Sequence, residues 1–336
     1  MPMTARLALP LSILLLLGAV GCRTGDPQPD PPRGATPDPS GDNGDKGEKG
    51  DKGDAPKDSD KPADASMSGD APDPINRETM VLPSGSVYWQ KVKQGALTVI
   101  VSKDNPPFAY EVEGRLEGYD PDLARALGRS LGVEIKLVAR PIESVLDALT
   151  ADPPEGDIVI ANLTATSRRA ARANFSVPYL TVTQGALIQR RLVKAENERA
   201  EIQRTVYDNY FDLRRFPGIK IGVRRGTSVE RRARANFPRA KIRAFPTLEK
   251  TFEALTSGKV QAMVHDETTL RSLYRNAGSM RTRFTPLLKP VTRDPIAIAI
   301  RKGDLEFLRW LDVWIRDCEA IGFLEDLSGK HLRGGQ

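Results

Sequence analysis

Cysteine and histidine are almost missing from this 336-residue chain, which has only Cys22, Cys318, His265 and His331. Disulfide frameworks need several cysteines, and zinc sites need Cys or His at ligand spacing. Neither pattern is present, so no intrachain disulfide, metal or cofactor is expected. Long apolar runs are scarce too. The run 7–19 contains Pro10 and Ser12 and falls short of the ~20 apolar residues that cross a bilayer. Residues 23–78 have almost no large apolar side chain. Such a segment cannot bury enough apolar surface to offset its ordering entropy.

The N-terminus has the layout of a secretory signal: a charge at Arg6, a short apolar stretch, then Gly18, Ala19, Val20 and Gly21 before Cys22. This resembles the bacterial lipoprotein box, which implies a diacylglycerol on Cys22 and a mature chain starting there. Ala19 stands where that box usually has Leu. The alternative is an ordinary signal peptide cut near Gly21, with Cys22 a free thiol. The expected organisation is a signal peptide at 1–21, a tether at 22–78 and a folded domain at 79–336.

The tether is rich in Pro, Gly, Asp and Lys. Glycines at 41, 44, 47, 50 and 53 keep a three-residue period, but so few triplets without regular proline do not make a collagen helix. A flexible coil of this length spans roughly 40 Å, enough to hold a domain off a membrane. It carries 14 acidic and 8 basic residues. The whole chain is at +6 and Arg6 is the lone charge before the tether, so the remainder carries +11. A basic domain raises the question of nucleic acid. Here the cations are spread over many predicted helices and the chain bears an export signal, so no nucleic-acid partner is expected.

From residue 97 onward, strand and helix signals alternate. Segment 97–102 reads as a buried strand, 121–131 as a helix and 133–138 as a strand. Ile142, Val145, Leu146 and Leu149 follow the i, i+3, i+4, i+7 pattern of a helix. A short strand at 157–161 and a basic helix at 166–173 come next. The pattern breaks at a strand, 184–190, followed by the charged stretch 193–215. That stretch reads as a surface helix on the second lobe, away from any cleft. Strands at 219–223, 241–245 and 260–264 then alternate with helices at 228–235, 248–255 and 268–274. A strand at 296–300 and a helix at 305–315 close the chain. Two α/β units with mainly parallel sheets are the predicted fold class.

Several stretches in this order carry a family resemblance. They are Pro106-Pro107-Phe108, Glu117-Gly118-Tyr119-Asp120-Pro121-Asp122-Leu123-Ala124, the region 157–179 with Thr164, Thr166, Arg169, Phe175-Ser176 and Pro178-Tyr179, then Arg225-Gly226-Thr227-Ser228 and Val264-His265-Asp266. Residues 97–332 resemble the family 3 bacterial extracellular solute-binding proteins, which include periplasmic amino-acid receptors of ABC importers. The resemblance implies the two-lobed periplasmic binding protein fold of type II, with two crossovers and the ligand in the cleft. Lobe 1 is expected at about 97–186 and 294–336, and lobe 2 at about 187–293.

The resemblance also implies site residues. Arg169 is the expected partner of a ligand α-carboxylate, since a guanidinium grips a carboxylate with two parallel donors. Thr164 and the N–H of Asn162 would add donors. With Arg168 and Arg172 as neighbours, Arg169 could instead belong to a solvated face. Asp266 is the expected partner of an α-ammonium. On sequence alone a plain helix N-cap explains it better, and only the family match points to the ligand. His265 either lines the pocket or is a strand-end histidine. Ser102, Phe108, Arg224, Thr227 and Ser228 complete the expected set. Asn105 and Ile142 replace aromatic rings that such receptors often use, and Ser102 replaces a position that is often acidic. Phe108 and Tyr119 could equally be core. Arg224 and Arg225 make the pocket more positive than usual.

The expected function is a lipid-anchored, extracytoplasmic, monomeric receptor for a small amino-acid-like solute, working with an ABC permease and held to a bacterial membrane by Cys22. Its domain would lie in the periplasm or at the cell surface. Two alternatives share the pocket: a sensory or cell-wall-associated module, and a cyclohexadienyl dehydratase-like enzyme.

Overall fold

The computed structural model describes residues 71–76, 85–199 and 207–333, all within one compact unit, Ala63–Gln336. The expected signal peptide, Cys22, the tether to residue 70 and the stretch 200–206 lie outside the described residues.

In chain order, the first lobe contains α1 (Val87–Gln94), β1 (Ala96–Ser102), β2 (Asp104–Asn105), β3 (Ala109–Val112), β4 (Arg115–Glu117), α2 (Tyr119–Leu131), β5 (Glu134–Arg140), α3 (Val145–Thr150), β6 (Ile158–Val159), α4 (Ser167–Ala170) and β7 (Asn174–Val182). The chain then crosses to β8 (Gln184–Gln189), α5 (Arg190–Arg199), β9 (Lys220–Arg224), α6 (Ser228–Asn236), β10 (Lys241–Phe245), α7 (Leu248–Thr256), β11 (Ala262–Asp266), α8 (Glu267–Asn276) and β12 (Phe284–Leu287). It returns through β13 (Asp294–Ile300), α9 (Leu305–Ala320) and α10 (Phe323–His331).

The two five-stranded sheets have the same plan. The first runs β5-β1-β6-β13-β7 and the second β10-β9-β11-β8-β12. In each, three parallel strands are followed by antiparallel ones. The pattern follows from the residues. β1 reads Ala-Leu-Thr-Val-Ile-Val-Ser, apolar on both faces as a central parallel strand must be. Val99 and Val101 pack into one core with Leu123 and Leu127 of α2, while Ile100 enters the opposite core with Val145 and Leu149 of α3. The second sheet is sandwiched likewise, with Ile221 and Val223 on one side and Leu248, Leu255 and Met263 on the other. Each fully buried aliphatic side chain contributes about 1.5–3 kcal/mol.

The crossings sit side by side. Thr183 and Thr292 hydrogen-bond through their hydroxyls at 3.2 Å, and the Gln184 N–H donates to Thr292 Oγ1 at 2.6 Å. The expected lobe boundary at 186/187 falls inside β8, whose pairing with β11 and β12 spans Gln184–Gln189. The crossing is therefore at Thr183.

Several other expectations are corrected. The helix expected from Ile142 starts at Val145, and the one expected at 166–173 is the single turn α4. β7 was not predicted as a strand, because Pro178 breaks its pattern. It lies at the sheet edge, where a missing N–H is tolerated. The hairpin sheet β2-β3-β4, α1 and α10 were also not predicted. Residues 71–76, assigned to a solvated tether, dock on lobe 1. The Ile75 N–H donates to Ser130 O at 2.8 Å, Ser130 Oγ donates to Pro72 O at 2.9 Å, and Ala71 and Ile75 pack on the core.

α5 does lie on lobe 2. It begins where β8 pairs with the start of β11, at the end of the sheet opposite Asp266. Tyr210 and Leu213, from the same charged stretch, are buried in that lobe's core, with Phe216 just after it.

Candidate ligand-binding site

Both sheets present the C-terminal ends of their parallel strands to one cleft, the place where open α/β sheets bind ligands. Eight of the ten expected ligand residues line one small cavity there: Asn162, Thr164 and Arg169 from lobe 1, and Arg224, Thr227, Ser228, His265 and Asp266 from lobe 2. Asn105, Ile142 and Val229 complete it. Phe108 is not among them. Its ring is fully buried in the lobe 1 core, edge-on to Tyr119 at 6.5 Å. Ser102 is also fully buried and does not line the cavity.

Asn162 follows β6 in the left-handed region, φ +47°, a conformation that asparagine tolerates better than most residues. Its side chain donates to Asp266 Oδ2 at 2.9 Å. The Asp120 carboxyl, fully buried at the start of α2, accepts from Tyr179 Oη at 2.9 Å. Burial pushes the Asp120 carboxyl up to about 8 and the Tyr179 hydroxyl well above its usual range.

Asp266 precedes α8 without capping it, since its side chain accepts no hydrogen bond from that helix. The carboxylate instead meets Asn162, and Gln184 Nε2 at 3.5 Å. The cap reading, the better one on sequence alone, is therefore set aside. Arg169 is half-buried and donates from Nη1 to Thr164 O at 2.9 Å. Burial and the nearby charges of Arg231 and Arg232 lower its pKa to about 10, so it stays charged at neutral pH. His265 is buried, with Nδ1 unpartnered, and desolvation lowers its pKa, which favours the neutral ring.

The lobes meet directly across the cleft. Thr164 and Ser228 share a hydroxyl hydrogen bond at 3.0 Å. Arg224 donates to Asp104 O at 3.0 Å and to its Oδ1 at 2.6 Å. Gly226 allows this approach, because a Cβ there would lie 2.6 Å from Glu143 Cβ. Near the crossings, Arg232 pairs with Asp294, which also accepts from Gln184 Nε2 at 2.5 Å. The enclosed space is about 20 Å³, room for about one water. A molecule the size of an amino acid does not fit unless the lobes part and these contacts break.

Sequence reasoning missed Asp104, Glu143, Gln184, Asp294, Arg231 and Arg232. The two arginines had a signal: they lie three and four residues after Ser228, on its face of the helix. The others are paired through tertiary contacts.

Known proteins share this fold. The chain is 27% identical over 242 residues to the L-cystine-binding protein TcyJ of Escherichia coli K12, covering 71% of this chain and 84% of that one. It is 26% identical over 239 residues to cyclohexadienyl dehydratase of Pseudomonas aeruginosa, covering 69% and 81%. Among solved structures, the ancestral amino acid-binding protein AncCDT-1, a precursor of cyclohexadienyl dehydratase, matches with a TM-score of 0.61 and 30% identity, covering 74% of this chain and all of that one. The profile of the bacterial extracellular solute-binding proteins, family 3, matches residues 97–334, and the chain belongs to that family.

Proposed function

We propose that this protein is an extracytoplasmic receptor that closes around a free amino acid. One observation carries the reading: a guanidinium from one lobe, Arg169, and a carboxylate from the other, Asp266, line the same cavity at the strand ends. No ion pair joins them among the described residues. Arg169 offers its fork to the α-carboxylate, and Asp266 receives the α-ammonium. Thr164 and Ser228, which bond each other when the lobes meet, turn to the ligand when it lies between them. Binding then shifts the equilibrium toward the closed form, by as much as the ligand prefers that form.

The relatives support the ligand class, since TcyJ is named for cystine binding and AncCDT-1 for amino-acid binding. Titration calorimetry with cystine, glutamine, glutamate, arginine and lysine tests the reading. Hydrogen bonds to charged groups contribute about 1.5–3 kcal/mol. Arg169→Ala and Asp266→Ala should therefore each weaken a ligand roughly tenfold to a hundredfold while the fold persists. Wild-type affinity in both variants refutes the amino-acid pocket.

Import through an ABC permease, and a lipid anchor on Cys22, complete the proposal. The Cys22→Ser protein should move from the membrane fraction to the soluble one, and unchanged membrane retention defeats the anchor.

The likeness to cyclohexadienyl dehydratase favours a second reading, elimination from a cyclohexadienyl compound. Asp266 and His265 are the cavity groups able to move a proton. Turnover that survives neither Asp266→Asn nor His265→Gln would establish it.

A further inference from the structure

Arg224 is the last residue of β9 and the largest fully buried side chain among the described residues, 1% exposed. It crosses from lobe 2 to the hairpin of lobe 1. Nη1 and Nη2 are satisfied by Asp104, and Glu143 Oε2 stands 4.0 Å from Nη2. Nε has no acceptor. A buried guanidinium N–H without an acceptor carries its full desolvation cost, so this end of the cleft is incomplete. Other buried polar atoms of the cavity lining are also unpartnered: Asn105 Oδ1, Asn162 Oδ1 and His265 Nδ1. The cavity is thus polar and underbonded rather than a greasy slot.

Charge matching narrows the solute. The cavity is lined by two guanidiniums, Arg169 and Arg224, and by one carboxylate, Asp266, while Asp104 meets the Nη atoms of Arg224 from outside the lining and leaves its Nε edge open. A neutral amino acid supplies one carboxylate and one ammonium, which answers Arg169 and Asp266 and leaves the Arg224 Nε without an acceptor. A cationic side chain at that end would meet Arg224. Arg231 lies near Arg169 as well, whereas Arg232 is paired with Asp294 near the crossings.

We infer that Arg224 is the specificity-determining residue, a second anion subsite, and that the solute is an amino acid whose side chain ends in a carboxylate. The inference rests on the amino-acid reading above. Asp104 is then an internal stand-in: its carboxylate occupies part of the guanidinium fork when the lobes close, and the ligand's carboxylate takes the free Nε edge or displaces it.

The test is calorimetry on the full-length protein in detergent, with L-glutamate, L-aspartate, L-glutamine, L-lysine and L-arginine. Glutamate or aspartate should bind at least about tenfold more tightly than glutamine, lysine or arginine. Arg224→Gln should remove that preference, weakening the acidic ligand roughly tenfold to a hundredfold and glutamine little. Asp104→Asn keeps the guanidinium and removes its internal competitor, so affinity for the acidic ligand should hold or rise. This second variant decides the matter if Arg224→Gln does not fold.

A wild-type preference for lysine, arginine or glutamine overturns the role of Arg224 and leaves the amino-acid reading standing. So does unchanged glutamate binding in Arg224→Gln, or a tenfold loss in Asp104→Asn. Binding of none of the five overturns the inference, and with no binding of cystine either the amino-acid reading falls with it.

Discussion

Replacing Asp120 with asparagine should make the protein more resistant to alkaline pH, by an amount that grows with pH. The Asp120 carboxyl is fully buried and burial raises its pKa from 3.8 to about 8. Tyr179 Oη and the Asn162 backbone oppose that rise without cancelling it. The folded state therefore holds a proton that the unfolded chain releases near pH 4. Stability from this group is full below the unfolded pKa and is lost as pH rises toward the folded one. The slope is about 1.4 kcal/mol per pH unit between those values. Asparagine has nearly the same shape, keeps an acceptor for Tyr179 and does not titrate. Between pH 6 and 8 the variant should gain on the order of 2–3 kcal/mol over the wild type, or several degrees in Tm for a domain of this size. Thermal melts of both proteins at half-unit steps from pH 5 to 9 measure it. A Tm difference that stays constant with pH refutes the buried neutral acid.

Three further outcomes are expected. Gly118→Ala should be severely destabilising, by about 3 kcal/mol or more, because φ is +118° and the new Cβ would lie 2.5 Å from Phe108 O; chemical denaturation reads this, and a loss below 1 kcal/mol sinks the strain argument. Deleting 41–70 should leave Tm nearly unchanged, whereas extending the deletion through 76 should cost about 2–4 kcal/mol, since it removes two hydrogen bonds to Ser130 and the packing of Ile75; equal melting of the two truncations contradicts the docking. Ser130→Ala should cost about 1–3 kcal/mol in urea unfolding, because Ser130 Oγ accepts from Trp314 Nε1 at 3.0 Å and donates to Pro72 O, and a neutral result means that water replaces it.

The sequence by itself determined the two α/β units, because apolar runs and helical periodicity are local signals of which face is buried. The cleft residues came from the family resemblance and not from periodicity: on the residues alone Asp266 reads as a helix cap and Arg169 as part of a solvated face. What the sequence could not contain was who meets whom. Phe108 turned to the core, although its motif fits a binding loop equally well. Asp266 turned from its own helix to Asn162, 104 residues away, and Arg224 reached Asp104 at a separation of 120. Ala71 and Ile75 docked although their composition matches the tether before them. Each of these outcomes depends on where a distant group ends up after the lobes pack, and periodicity carries no information about partners so far along the chain. The polar atoms left unpartnered in the cleft are likewise a property of the packed molecule alone, since a hydroxyl, amide or guanidinium lacks a partner only once the fold has taken it out of water.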